Sequence, residues 1–168
     1  RALNRAIKES KGKVLLFTDD DVRVPKEWIE GMCAPIRSGE ADVVAGGVEL
    51  ADYLNHDWLT KKHKSFLAST ENLSKNNPEH IIGANLAIKR DVFEFVDGFE
   101  PDLGPGALGL GEDTLIGWQI EKAGFRIDTA FDIAVEHHPD KKRITRDGFY
   151  DAAIRAGRSE AYINYHWQ

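Results

Sequence analysis

An α/β layered domain is the fold class this sequence predicts, on three observations. Apolar runs of strand length, such as Val14–Thr18 and Asp42–Val48, alternate with amphipathic stretches of helical period. Glycine or proline stands at many of the boundaries, as at Gly12, Pro25, Gly98 and Gly124. The 168 residues, 42% hydrophobic and 30% charged, match one globular domain long enough to bury a real core.

The elements follow in order. Arg1–Ser10 reads as a helix with Leu3, Ala6 and Ile7 on one face, stopped by Lys11-Gly12-Lys13. Val14–Thr18 is continuously apolar, the pattern of a strand buried on both faces of a parallel sheet. Pro25 is expected to open a helix, where its missing N–H costs little, with Trp28, Ile29, Met32 and Ile36 on the apolar side. Asp42–Val48 is a second strand, ending at Gly46-Gly47, and Glu49–Asn77 reads as polar loop and helix. His80–Lys89 contains a third strand, and Asp91–Val96 a helix stopped by Asp97-Gly98. Gly104, Gly106, Gly109 and Gly111 punctuate a loop, and Glu112–Ala123 is a helix stopped by Gly124. Phe125–Ala130 and Ile133–His137 read as two short strands. Asp147–Tyr165 is a final amphipathic helix with Phe149, Ala153, Ala156 and Ile163 on one side.

Charge and composition narrow the function. The net charge is −6 with both signs interleaved, so the long basic footprint of a nucleic-acid binder is missing. An acidic protein still binds an anionic nucleotide when a metal bridges the two. Cys33 is the single cysteine, which excludes an internal disulfide and fits a reducing compartment. No apolar stretch approaches the ~20 residues of a membrane span. The expected setting is cytoplasmic, with peripheral membrane contact left open. The chain opens on Arg1 without a signal peptide or initiator Met, as expected of part of a larger or processed protein.

Asp19-Asp20-Asp21 follows the Val14–Thr18 strand directly. Ligands of open α/β sheets sit beyond the carboxyl ends of strands. Three adjacent carboxylates repel one another, and a divalent cation relieves that repulsion. Mg²⁺ and Mn²⁺ favour oxygen ligands, Mg²⁺ commonly one or two carboxylates plus substrate phosphates. The alternative reading is a solvated turn capping the Pro25 helix.

Four ordered blocks carry a family likeness. Asn4-Arg5-Ala6 with Gly12–Asp21, Pro25 and Trp28 resembles the central segment of family 2 glycosyltransferases, whose DxD-type motif follows a strand. Gly83–Arg90 with Val96–Glu100 resembles the next block, and Gly111–Thr114 with Ala123–Ile127 resembles the acidic catalytic block. Val135–Pro139 resembles the segment bearing a metal-associated histidine. The resemblance implies a partial GT-A fold, a mixed sheet flanked by helices. Nothing in the chain matches the amino-terminal nucleotide-binding βαβ half. Residues 1–139 would be the catalytic portion and 140–168 a carboxyl-terminal helix packed on it.

The same resemblance implies the chemistry. A nucleotide-diphosphate sugar binds with Mn²⁺ or Mg²⁺. Asp21, Asp19 and His137 are the implied metal ligands. Asp19, Asp20 and Asn85 are the implied donor contacts, although Asp20 also fits a structural place and Asn85 the backbone near the site. Asp113, with Glu112 beside it, is the implied general base for a carbohydrate, lipid-linked or other acceptor hydroxyl, giving inversion in one displacement. Each has a plainer reading: Glu112 and Asp113 as acids complementing a helix dipole, His137 as a packed strand-end histidine. Trp58, His56 and His63 could line an acceptor site, but most such residues are simply packed, and they are not taken as site residues.

The chain departs from the family in two places. Gln119 stands where some members carry Arg, and the Gln-x-x-Arg-Trp motif of processive synthases is absent, which favours single addition. Without a preceding half, Val14–Thr18 becomes an apolar edge that invites pairing of two copies, and transfer by the chain alone is expected to be weak. A sugar-nucleotide nucleotidyltransferase and a non-catalytic interaction module are the competing functions.

Overall fold

The computed structural model describes residues 1–73 and 81–167. His80 and the end of the Glu49–Asn77 stretch lie outside the described residues. Strands β1 (Val14–Thr18), β2 (Val22–Arg23), β3 (Val43–Leu50), β4 (Asn85–Lys89) and β5 (Ile127–His137) form one five-stranded sheet in the order β1-β4-β3-β5-β2. Only β3 and β5 run parallel; β1 with β4, β4 with β3, and β5 with β2 are antiparallel.

This corrects the expectation for Val14–Thr18. The strand is where its apolar run predicts and at the edge expected without a preceding half, but it pairs antiparallel to β4 rather than in a parallel sheet. Its continuous apolarity has a different cause: both faces are covered. Leu15 and Phe17 join Val43, Leu86 and Ile88 beneath the helix α4 (Glu112–Lys122), whose Ile116 and Ile120 are fully buried. Val14 and Leu16 face the opposite layer with Val44, Ala87, Met32 and Ile36, the last two from helix α2 (Trp28–Arg37). Period-two alternation therefore sorts one strand between two helix layers. Fully burying an aliphatic side chain such as Ile116 contributes roughly 1.5–3 kcal/mol.

Polar residues in and beside the resemblance blocks tie the elements together. Helix α1 (Ala2–Glu9) is fastened by Asn4, whose amide donates to the Phe99 carbonyl (2.7 Å) and accepts from the Phe99 N–H (2.9 Å). Arg90 donates to the Gly12 carbonyl at 2.6 Å and to Ser10 Oγ at 2.8 Å. Gln119 braces the Asp97-Gly98 turn, accepting from Asp97 N–H and donating to the Gly98 carbonyl.

The two strands expected at 125–130 and 133–137 are one. β5 runs unbroken past a bulge, with Gly46 opposite Ala130 and Gly47 opposite Ala134. The glycines are required there. A Cβ on Gly47 would stand 2.3 Å from the Phe131 carbonyl oxygen, and one on Gly46 would stand 2.2 Å from Asn85 Nδ2. They do not end β3, which continues to Leu50. Asp91–Val96 is a short 3₁₀ turn over Arg90–Glu94 rather than an α-helix.

A second, smaller core supports the irregular stretch after β3. Leu50, Leu54, Leu59 and Leu67 pack with Ile144 and Phe149. Helix α3 (Lys61–Phe66) starts in a reciprocal cap: Thr60 Oγ1 accepts from His63 N–H, and His63 Nδ1 accepts from Thr60 N–H. Helix α5 (Arg146–Trp167) buries Ala152, Ser159 and Ile163; of the expected face Ile163 is buried and Phe149 and Ala156 are half-buried, while Ala153 is exposed. Leu103 and Leu115 meet Ile163, and Ser159 Oγ accepts from Leu110 N–H, which seats α5 on the glycine-rich loop.

Candidate active site

The Asp19–Asp21 end is assembled by strand register. β1 delivers Asp19 at its carboxyl end, Asp20-Asp21 turn the chain, and the two residues of β2 return alongside β5, pairing Val22 with His137. The His138 N–H donates to the Asp21 carbonyl at 2.8 Å, which closes the junction. The turn does not cap α2, whose first residue is Trp28 and whose N-terminus has no side-chain cap.

His137 is buried, and its Nδ1 lies 2.8 Å from the Leu67 carbonyl oxygen. A carbonyl accepts only, so Nδ1 carries the proton and donates. Nε2 lies 3.4 Å from Asp21 Oδ1: in the neutral ring it keeps a lone pair there, and in the protonated ring it donates to the carboxylate. Two acceptors facing each other need a cation or a proton between them, and neutral imidazole with carboxylate is a suitable donor set for a divalent ion. No group of three His, Cys, Asp or Glu side chains able to hold a metal is found among the described residues. Asp21 and His137 supply two such donors, so a divalent ion held here would take its remaining ligands from elsewhere, as Mg²⁺ does from substrate phosphates. His138 is engaged elsewhere, between Tyr53 Oη at 3.1 Å and Glu136.

The acidic pair opens α4. Gly111, at φ 95°, sets the chain into the helix, and Asp113 follows at its first turn. Asp113 Oδ1 accepts from Thr114 N–H at 2.8 Å and Oδ2 from Gly83 N–H at 3.4 Å. Glu112 and Asp113 line an open cavity of about 530 Å³ together with Phe66, Ser69, and Ser159 and Ile163 of α5. Burial pushes the Asp113 carboxyl up, against the two N–H donors. Glu112 is pushed up to about 7, by burial first and then by the charge of Asp113 and of Asp19.

Asp19 joins the two ends. Its carboxyl is raised by the surrounding protein first and by Asp21 next, while His137 and Arg143 draw it down and Asp20 pushes it up. It also raises both Glu112 and Asp113. Asp19 is thus in electrostatic reach of Asp20, Asp21 and His137 and of Glu112 and Asp113. Asn85 sits in the wall of the fold instead. It is fully buried, donates to the Gly47 and Ile133 carbonyls at 2.8 and 2.7 Å, and accepts from Trp28 Nε1 at 2.8 Å. It clasps the β5 bulge.

Two contributors have no motif in the sequence. The Leu67 carbonyl, which sets the His137 tautomer, precedes Ala68 at φ 61°, a left-handed conformation rare for alanine. Arg143 donates to the Phe66 carbonyl and lines the cavity. Its only sequence signal is the basic run Lys141-Lys142-Arg143.

A family model described as glycosyl transferase family 2 matches residues 1–96. The chain belongs to glycosyl transferase family 2. Its sheet and flanking helices are part of the GT-A fold, shared with solved family structures. Glucosyl-3-phosphoglycerate synthase from Mycobacterium tuberculosis, solved with Mn²⁺, uridine diphosphate and phosphoglyceric acid, is similar over 97% of this chain and 52% of its own (TM-score 0.58, 15% identity). TarS of S. aureus matches over 92% and 43% (TM-score 0.54, 18% identity). GalNAc-T7, solved with UDP, GalNAc and Mn²⁺, matches over 81% and 29% (TM-score 0.57, 18% identity). The chain spans about half or less of the length of these proteins. A search of curated protein sequences gave no match. Among the described residues, no helix of this family 2 chain is long and apolar enough to cross a membrane.

Proposed function

We propose that this chain carries the metal end and the acceptor end of a glycosyltransferase site, moving a sugar from a nucleotide-diphosphate donor to an acceptor hydroxyl with inversion. The observation that carries the reading is the position of Asp19, within electrostatic reach of Asp21 and His137 on one side and Glu112 and Asp113 on the other. Fold relatives solved with Mn²⁺ and uridine diphosphate support a donor of that class.

Asp113 serves as the base. Its two backbone donors hold the carboxylate at the cavity wall, and burial makes it a stronger base than a free carboxylate. The acceptor hydroxyl gives its proton to Asp113 as its oxygen bonds to the anomeric carbon. The bond from that carbon to the diphosphate breaks in the same displacement, so the configuration inverts. Asp21, Asp19 and His137 would hold Mn²⁺ or Mg²⁺ together with the donor diphosphate, with Asp20 at the turn beside them. A bound divalent ion supplies positive charge against the diphosphate leaving group. Glu112, partly protonated near neutral pH, limits the negative charge that Asp113 meets.

Residues 1–168 alone are proposed to transfer weakly, because the chain spans about half of its fold relatives. The free edge of β1 supports pairing of two copies through Val14–Thr18. The test is Asp113→Asn in a protein containing the complete donor site. Transfer, followed as nucleoside diphosphate release, falls by about 10³-fold while donor affinity stays. Release of pyrophosphate instead, or lost donor affinity with this variant, contradicts the assignment.

A further inference from the structure

A second concavity, of about 590 Å³, lies beside the first and shares Phe66 with it. The two are also joined through consecutive residues, Arg143 lining the first and Ile144 the second. Its character is opposite. Where the first holds Glu112, Asp113 and Glu160, no carboxylate lines the second. Its walls are rings: Trp58 edge-on to Phe149 at 6.1 Å, with His63 4.4 Å from Phe149. Lys62 and Arg146 stand over rings of the same groove, Lys62 Nζ 4.9 Å from the Phe66 centroid and the Arg146 guanidinium 5.4 Å from that of Tyr150. Neither cation has a carboxylate partner among the described residues. Trp58 and Tyr150 remain more than half exposed, at 53% and 57%.

Exposed rings beside unpaired cations, in a chain of net charge −6, have a defined complement. The C–H faces of a sugar pack on aromatic rings, and a phosphate on that sugar takes lysine and arginine together. We infer that this groove is a second acceptor subsite, holding a phosphorylated sugar of an acceptor whose reacting hydroxyl lies beside Asp113. The inference rests on the glycosyltransferase reading and names its acceptor class: a saccharide of more than one unit, anionic at the end away from the reaction. The groove's concavity favours such a ligand over a bilayer, which requires rings on a protruding surface. Its volume falls within the roughly 300–1,000 Å³ common for ligand sites.

Two tryptophans report the two cavities separately, Trp58 in the groove and Trp118 in the Asp113 cavity. The indole N–H resonances of residues 1–168 are followed while a hexose 6-phosphate, and separately the free hexose, is added. The expected result is a shift of Trp58 with the phosphate ester, at least tenfold weaker affinity for the free hexose, and at least tenfold loss in the surface variant Lys62→Ala/Arg146→Ala. Trp58→Ala removes the reporting signal and assigns it. No response of Trp58, an undiminished response in the double variant, or response only to phosphatidylglycerol vesicles overturns the subsite. Binding of Mn²⁺ with uridine diphosphate stays unchanged in the double variant. Failure of the Asp113→Asn test, by contrast, removes the transferase reading and leaves groove binding intact.

Discussion

The Asp21–His137 end and the Asp113 cavity are built by different means. Asp19, Asp21 and His137 sit at strand ends, where pairing of β2 with β5 fixes their separation. The cavity behind Asp113 is enclosed by Phe66, Ser69, Arg143 and α5, drawn from irregular segments around a small satellite core. One end inherits its geometry from backbone hydrogen bonds. The other depends on how separate segments happen to pack. Disturbances of the sheet should therefore act on both ends, whereas disturbances of the irregular face should act locally.

The largest expected effect on stability breaks the sheet side. Asn85→Leu strands the Gly47 and Ile133 carbonyls and the Trp28 indole N–H, all at a closed bulge. A loss of about 3 kcal/mol or more follows, a drop of roughly 6–12 °C in Tm. A Tm unchanged within a degree would mean that the bulge does not depend on this clasp.

Glu112 tests the cavity end through pH. Its folded value, about 7, lies above its ordinary 4.5. For an acid shifted upward, folding binds the extra proton, so this group's penalty is absent below pH 4.5 and grows as pH rises through 7. Stability should fall across that window, by about 3 kcal/mol at most, since Glu112 remains partly solvated. Glu112→Gln should flatten the slope in denaturant titrations at pH 5 and pH 8. An equal slope in the variant would assign the pH dependence to Asp19 or Asp113.

The smallest effect lies at Ala68. Its left-handed backbone suits glycine, so Ala68→Gly should be neutral or stabilising by up to about 1 kcal/mol. Ala68→Val should lose about 1–2 kcal/mol and loosen the Leu67 carbonyl from His137. Equal denaturation midpoints for the two variants would remove strain from the account.

How legible each end was in the sequence follows the same division. Val14–Thr18 was readable to the residue because an apolar run between Gly12-Lys13 and three aspartates has few other uses. Its antiparallel pairing was not, because a strand covered by α2 and α4 shows the same continuous apolarity as one in a parallel sheet. Gly46-Gly47 read as a strand end, yet the glycines serve a close approach to Phe131 and Asn85 that only the paired strand reveals. Asp19, Asp21, Asp113 and His137 are proposed through the ordered blocks. Asn4, Asn85 and Arg90, from the same blocks, prove to be clasps of the fold. The Leu67 carbonyl and Arg143 carried no readable signal, since a backbone oxygen and one cation in a basic run acquire their place only through tertiary packing.

The central claim is that Asp21 and the bare Nε2 of His137 form an open metal site completed by a nucleoside diphosphate. Pulsed electron paramagnetic resonance of Mn²⁺ bound to residues 1–168 with uridine diphosphate addresses it directly. The account predicts nitrogen coupling from one imidazole, lost in His137→Ala, and loss of Mn²⁺ retention in Asp21→Ala. Mn²⁺ bound with no nitrogen coupling, or retained equally after Asp21→Ala, would contradict it.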